Sequence, residues 1–183
     1  MKMKANFNYS LVVVLILLFT TLSQTNSVAQ EKSKKELKEI QKLEKQKQIA
    51  LLVESKEFVF KANRMTPQGG RTINLTPEYI AEFHSELIKF DLPFIGRGYS
   101  GTGYGGSDGG IKFEEKPTVY SIEKKKKYYY INADVRGDRD SYTMILTVYF
   151  EGSANLSINS NNRSSIFYDG EIEEFAKEKN TKK

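Results

Sequence analysis

The residues with the types and spacing for chemistry gather in two stretches. Residues 94–110 read FIGRGYSGTGYGGSDGG and hold eight of the chain's 13 glycines, at 96, 98, 101, 103, 105, 106, 109 and 110, around Phe94, Arg97, Tyr99 and Tyr104. Residues 158–167 read INSNNRSSIF, where Asn159, Asn161, Asn162 and Arg163 set amides beside a guanidinium. Glycine accepts positive φ and close backbone approach, and it loses the most entropy on ordering. A loop so rich in it is either a mobile lid or backbone wrapped closely round something. Amides and guanidinium offer the fixed hydrogen-bonding groups that recognise a peptide or carbohydrate. The plainer reading of Asn161 and Asn162 is a turn with positive φ.

Several sharper chemistries fail on context. Gly96, Gly98 and Gly101 spell G-x-G-x-x-G, but a dinucleotide site needs that motif to open a helix whose N-terminus meets the phosphates. More glycine and then a short apolar run follow instead. Residues 105–110, GGSDGG, match one turn of a calcium-binding repeat that works only when stacked. Asp134, Asp138 and Asp140 lack EF-hand spacing and read as solvated hairpin aspartates. His84 is the single histidine and cysteine is absent, so a cysteine nucleophile and a multi-histidine zinc site are both excluded. No nucleophile elbow accompanies His84, which reads as structural or exposed. Carboxylates flank the glycine stretch at Asp91, Asp108, Glu114 and Glu115; two of them face to face would make a glycosidase-like pair. No cofactor and no metal are expected.

The elements that must position these groups are a helix and a set of strands. Residues 30–56 carry charges of alternating sign and no Gly or Pro. Leu37, Ile40, Leu43, Ile49 and Leu52 fall at helical spacing. The first half is too polar to bury, and the second half, with IALLV, is expected to dock on a core. Residues 57–175 then alternate in strand fashion. The segment 65–74 reads as a loop broken by Pro67, Gly69 and Gly70, and 79–83 with 87–92 as a hairpin about His84. Four lysines at 124–127 belong at a solvated hairpin tip between 118–123 and 128–135. Tyr128, Tyr129 and Tyr130 alternate faces, so they pack a sheet rather than form a platform. Residues 141–150, SYTMILTVYF, are apolar or β-branched on both faces and read as a central strand. The expected class is α+β: an N-terminal amphipathic helix packed on a mostly antiparallel meander of about 7–8 strands. Residues 176–183 form a basic tail.

The start of the chain indicates export. Lys2 and Lys4 precede an apolar run at 11–22, and Ser27-Val28-Ala29 places small residues before a cleavage point at Gln30, so 1–29 reads as a signal peptide. Its removal leaves 26 basic against 23 acidic residues, a formal net charge of +3. That mild balance points to no nucleic-acid partner. No membrane span is expected after cleavage. The absence of cysteine leaves no lipobox and no disulfide framework, so stability must come from the core.

Three segments, NRMTPQGGRTINLTPEY, LPFIGRGYSGTGYGGSDGGIKF and SINSNNRSSIFYDGEI, resemble a family of exported Bacteroidetes proteins known as domain of unknown function 4251. The resemblance spans about residues 58–174. It implies an envelope location, often through a lipid anchor whose cysteine this chain lacks, and it carries no activity, cofactor or catalytic residue. The residues themselves favour a secreted, periplasmic or cell-surface binding module for peptide, protein or glycan, rather than an enzyme. Its ligand-binding residues would be Phe94, Arg97, Tyr99, Tyr104, Asn162 and Arg163. The alternatives are a carboxylate-dependent glycan or peptide hydrolase and a purely structural envelope component.

Overall fold

The structure, a computed structural model, describes residues 25–76, 78–99, 110–137 and 140–175. It divides between Leu43 and Glu44 into two compact units. One helix, α1 (Thr25–Ser55), is followed by ten strands: β1 (Phe58–Pro67), β2 (Ile73–Asn74), β3 (Ile80–Phe83), β4 (Ile88–Leu92), β5 (Ile111–Glu115), β6 (Pro117–Lys124), β7 (Tyr128–Arg136), β8 (Ser141–Tyr149), β9 (Ser153–Ser160) and β10 (Ile166–Glu173). The signal peptide and the basic tail fall outside the described residues, apart from residues 25–29, which are helical. Among the described residues no helix is long and apolar enough to cross a membrane.

The helix behaves in two ways along its length. Leu37, Ile40 and Leu43 are more than half exposed, whereas Ile49 and Val53, one helical turn apart, are 2% and 0% exposed against the strands. The helix stops where Lys56 takes a left-handed φ of 58° and donates its N–H to the Val53 carbonyl at 3.2 Å, a C-terminal cap usually given to glycine. Beneath Ile49 lies the β8–β9 turn. Its Gly152 has φ +99°, and a Cβ there would stand 3.0 Å from the Ile49 Cδ1; only glycine fits both demands.

All strands pair antiparallel in the order β5-β4-β3-β1-β10-β9-β8-β7-β6, with β2 hung on β1. The first strand therefore lies beside the last and joins two meanders. Residues 111–124 are extended except for Lys116, and their first half bonds β4 while their second half bonds β7. The two ends of the sheet thus meet in one run of chain, and the sheet curls into a nearly closed barrel. Alternate residues of each strand fill the interior, such as Tyr129, Ile131, Ala133 and Val135 of β7 and Tyr142, Met144, Leu146 and Val148 of β8. An aromatic file crosses this core: Phe58–Phe83 at 4.8 Å, Phe83–Phe90 at 5.9 Å, Phe90–Phe113 at 4.8 Å and Phe113–Tyr142 at 5.0 Å.

Three expectations change. The fold is mostly β, with ten strands among the described residues rather than 7–8; β2 forms inside the expected loop, and β1 runs on through Asn63 to Pro67. The second half of the helix does dock, with Ile49 and Val53 in the core, but on a sheet curled into a nearly closed barrel rather than on an open meander. β8 is an inner strand of the sheet, yet its second face stays partly open: Thr143 is exposed and Ile145, Thr147 and Tyr149 are half-buried.

Candidate functional site

The two polar stretches, far apart in sequence, meet at the barrel end opposite the Ile49–Gly152 contact. The chain leaves β4 at Pro93, whose carbonyl accepts the Tyr168 hydroxyl at 2.7 Å from inside the core. Burial pushes the Tyr168 phenol well above its usual value, with the nearby Arg163 charge opposing the shift. The chain then runs antiparallel to the β9–β10 turn as a short clasp. The Arg97 N–H donates to the Ser164 hydroxyl at 3.1 Å, the Ser164 N–H donates to the Arg97 carbonyl at 2.9 Å, and the Tyr99 N–H donates to the Asn162 carbonyl at 2.7 Å. Gly98 bridges Arg163. Gly96 permits this approach, since a Cβ there would fall 2.4 Å from the Ser164 Oγ and 2.6 Å from the Phe94 ring.

Arg163 ties both stems of the glycine stretch. Its backbone pairs with Gly98, its Nη1 donates to the Gly110 carbonyl at 3.0 Å, and its guanidinium carbon sits 5.2 Å from the Phe94 ring centroid. The charge over the ring face and the charged hydrogen bond both hold the side chain. Asp140 fixes the turn from below. Its Oδ1 accepts the Ser141 N–H at 2.8 Å and the Asn162 N–H at 3.3 Å, and its Oδ2 accepts the Ser160 hydroxyl at 2.5 Å. Burial, reinforced by the Asp140 charge, also raises the phenol of Tyr142, while Arg163 opposes it.

Of the residues selected from sequence, Phe94, Arg97, Tyr99, Asn162 and Arg163 come together here, and Tyr104 lies outside the described residues with 100–109. Phe94 and Arg163 face each other and form the base. Arg97 and Tyr99 are exposed, Tyr99 to 63%. Among the described residues Arg97 has no ion-pair partner. Two sequence readings are corrected. Asn161 and Asn162 do not take positive φ; among the described residues only Lys56, besides glycine, does so. The bonds from the Asn161 N–H to the Ser141 carbonyl at 3.2 Å and from the Asn162 N–H to the Asp140 carboxylate at 3.3 Å shape the turn instead. Asp140 is half-buried and fully engaged rather than solvated. Ser164, 8% exposed, and Ile95, 50% exposed, were not selected; the signal for Ser164 was its place directly after Arg163.

The remaining candidates lie elsewhere. His84 is half-buried in the β3–β4 turn, with Nδ1 3.1 Å from a Glu57 oxygen and Nε2 3.4 Å from Glu82, and it stacks on Phe175 at 4.5 Å. Glu57 also accepts the Ser85 N–H at 2.9 Å. That bond, the largest cause, holds the Glu57 carboxyl below its usual value, with His84 contributing and burial opposing. Asp91 pairs with Lys112 at 3.4 Å, Glu114 stands opposite Lys89 in the β4–β5 ladder, and Asp108 is outside the described residues.

The comparisons agree with this architecture. No curated protein matches the chain. A solved structure, the crystal structure of a DUF4251 family protein from Bacteroides eggerthii DSM 20697, superposes with a TM-score of 0.54 at 16% sequence identity, covering 70% of this chain and 86% of that one. At that identity the likeness speaks for the fold. A family model, Domain of unknown function (DUF4251), matches residues 40–172, from the docking half of the helix to the last strand, and the chain belongs to that family.

Proposed function

We propose that this protein is an exported, non-enzymatic binding module of the cell envelope that engages a peptide or protein partner through the clasp beside the glycine stretch. One observation carries the reading. Tyr99 is 63% exposed although its own N–H is held at 2.7 Å by the Asn162 carbonyl. An aromatic side chain presented on a fixed backbone loses little freedom on binding. Exposed Arg97 and Ile95, 50% exposed, flank it. Tyrosine and arginine are the residue types that dominate binding hot spots. Export rests on the signal-peptide pattern of residues 1–29.

The test is capture of an envelope partner by the immobilised protein, with Tyr99→Ala and Arg97→Ala beside the wild type. Both side chains are exposed, so both variants should keep the wild-type circular dichroism and melting temperature while losing the partner. If both variants capture everything the wild type does, the reading is wrong.

A further inference from the structure

Away from the clasp, the outer face of the barrel carries a groove of about 490 Å³ over β1, β10 and β9, within the roughly 300–1,000 Å³ of small-ligand sites. Asn63, Arg64, Asn74, Ser153, Asn155 and Asp169 line it. Its shape comes from an irregularity in β1. The register against β10 shifts between Ala62 and Arg64, which leaves Asn63 as an extra residue. The Asn63 carbonyl accepts the Leu75 N–H at 2.9 Å, and β2 hangs at that point and brings Asn74 to the groove. Gly170 keeps the floor bare; a Cβ there would fall 2.0 Å from the Lys61 carbonyl oxygen.

The polar groups are organised before any ligand arrives. Arg64, Asp169 and Asn155 stand in one cross-strand row. The Arg64 guanidinium lies 3.2 Å from one Asp169 oxygen, and the Asn155 amide nitrogen donates to the other at 2.5 Å. The one cation and the one anion of the lining therefore cancel, and neither an anionic nor a cationic ligand is favoured. What remains is the amides of Asn63 and Asn74, each a donor and an acceptor, and the Ser153 hydroxyl, which donates to Glu151 at 2.9 Å and keeps its acceptor capacity; sugar hydroxyls complement that pattern. Two residues along β10 on the same outer face stands Phe167, 47% exposed. That spacing is about 7 Å, the reach of a neighbouring pyranose ring, whose C–H face can bury against the aromatic ring. An extended peptide is a poorer fit. β1, β10 and β9 are each paired on both sides, and the edge left at the groove is that of two-residue β2, too short for main-chain addition of a peptide strand.

We infer that this groove, with Phe167 at its end, is a second binding site that takes a neutral oligosaccharide. Titration of the isotope-labelled protein by NMR tests it, using hexamers of glucose, mannose, galactose and N-acetylglucosamine and a capped hexa-alanine peptide. At least one hexasaccharide should shift amides at 63–64, 74, 153–155 and 167–170 at millimolar concentration. Phe167→Ala and Asn74→Ala, both on exposed side chains, should each weaken that binding roughly tenfold, whereas Tyr99→Ala should leave it unchanged. The inference is overturned if no hexasaccharide shifts these amides, if the peptide shifts them equally, or if binding survives both groove variants undiminished. Loss of the clasp reading would leave these outcomes untouched.

Discussion

The two ends of the barrel are closed by opposite means. At one end Ile49 and Val53 of the helix are buried in the core, and Gly152 yields space for Ile49. At the other end Phe94 packs against the core and the Pro93–Tyr99 segment is held to the β9–β10 turn by hydrogen bonds, with Arg163 and Ser164 as its fasteners. Apolar closure is non-directional and follows the area removed from water. Hydrogen-bonded closure fixes positions atom by atom and leaves side chains such as Tyr99 facing outward. The end built from directional bonds is thus the one suited to presenting a recognition surface.

Substitutions can break this contrast, beginning with the largest expected effect. Val53→Asp buries an unpaired charge and should cost about 3–5 kcal/mol, read as a large drop in the denaturant midpoint of the whole barrel. Arg163→Ala removes a charged hydrogen bond and a cation–π contact, for about 2–3 kcal/mol. Amide exchange at Tyr99 and Ser164 should accelerate while that of β7 and β8 stays slow. Ser164→Ala leaves the Arg97 N–H without its acceptor, for about 1–2 kcal/mol, and in a double-mutant cycle it should be non-additive with Arg163→Ala because both hold one clasp.

The smallest effects are pH-dependent and sharpen the comparison. Tyr168 and Tyr142 hold their phenolic protons more tightly when folded than when unfolded, chiefly through burial. Their contribution is complete below about pH 10, the value for an unfolded tyrosine, and is lost as pH rises beyond it. Tyr168→Phe should therefore cost about 1 kcal/mol at neutral pH through the lost bond to Pro93 and reduce the loss of stability above pH 10. Near the helix end the sign reverses. Glu57 lies below its usual value near 4.5, so its contribution is present above that pH and is lost as pH falls through the folded value. Glu57→Gln should make the acid limb of the stability profile shallower.

How far the sequence could be read follows the same division. The docking half of the helix, the hairpins about His84 and about the lysines at 124–127, and the inward alternation of β7 and β8 were legible, because periodicity reports burial directly. Residue type, together with the family resemblance, singled out Phe94, Arg97, Tyr99, Tyr104, Asn162 and Arg163. The meeting of all but Tyr104, which lies outside the described residues, was not legible, because it depends on β1 pairing with β10, over 100 positions away, and on residues 111–124 bonding both β4 and β7. Asp140 was not legible as a turn anchor because an engaged, half-buried turn aspartate and a solvated one share the same local sequence. The groove on the outer face was hidden for a related reason: a one-residue bulge at Asn63 leaves no periodic mark.

The most direct test places a photo-crosslinking residue at position 99 and, in a second protein, at Lys126 in the exposed β6–β7 turn. If the clasp is the recognition surface, position 99 yields one defined adduct with an envelope protein or peptide, the adduct disappears when Arg97→Ala is added, and position 126 yields none. No adduct from position 99, or the same adducts from both positions, would contradict the clasp as the binding surface.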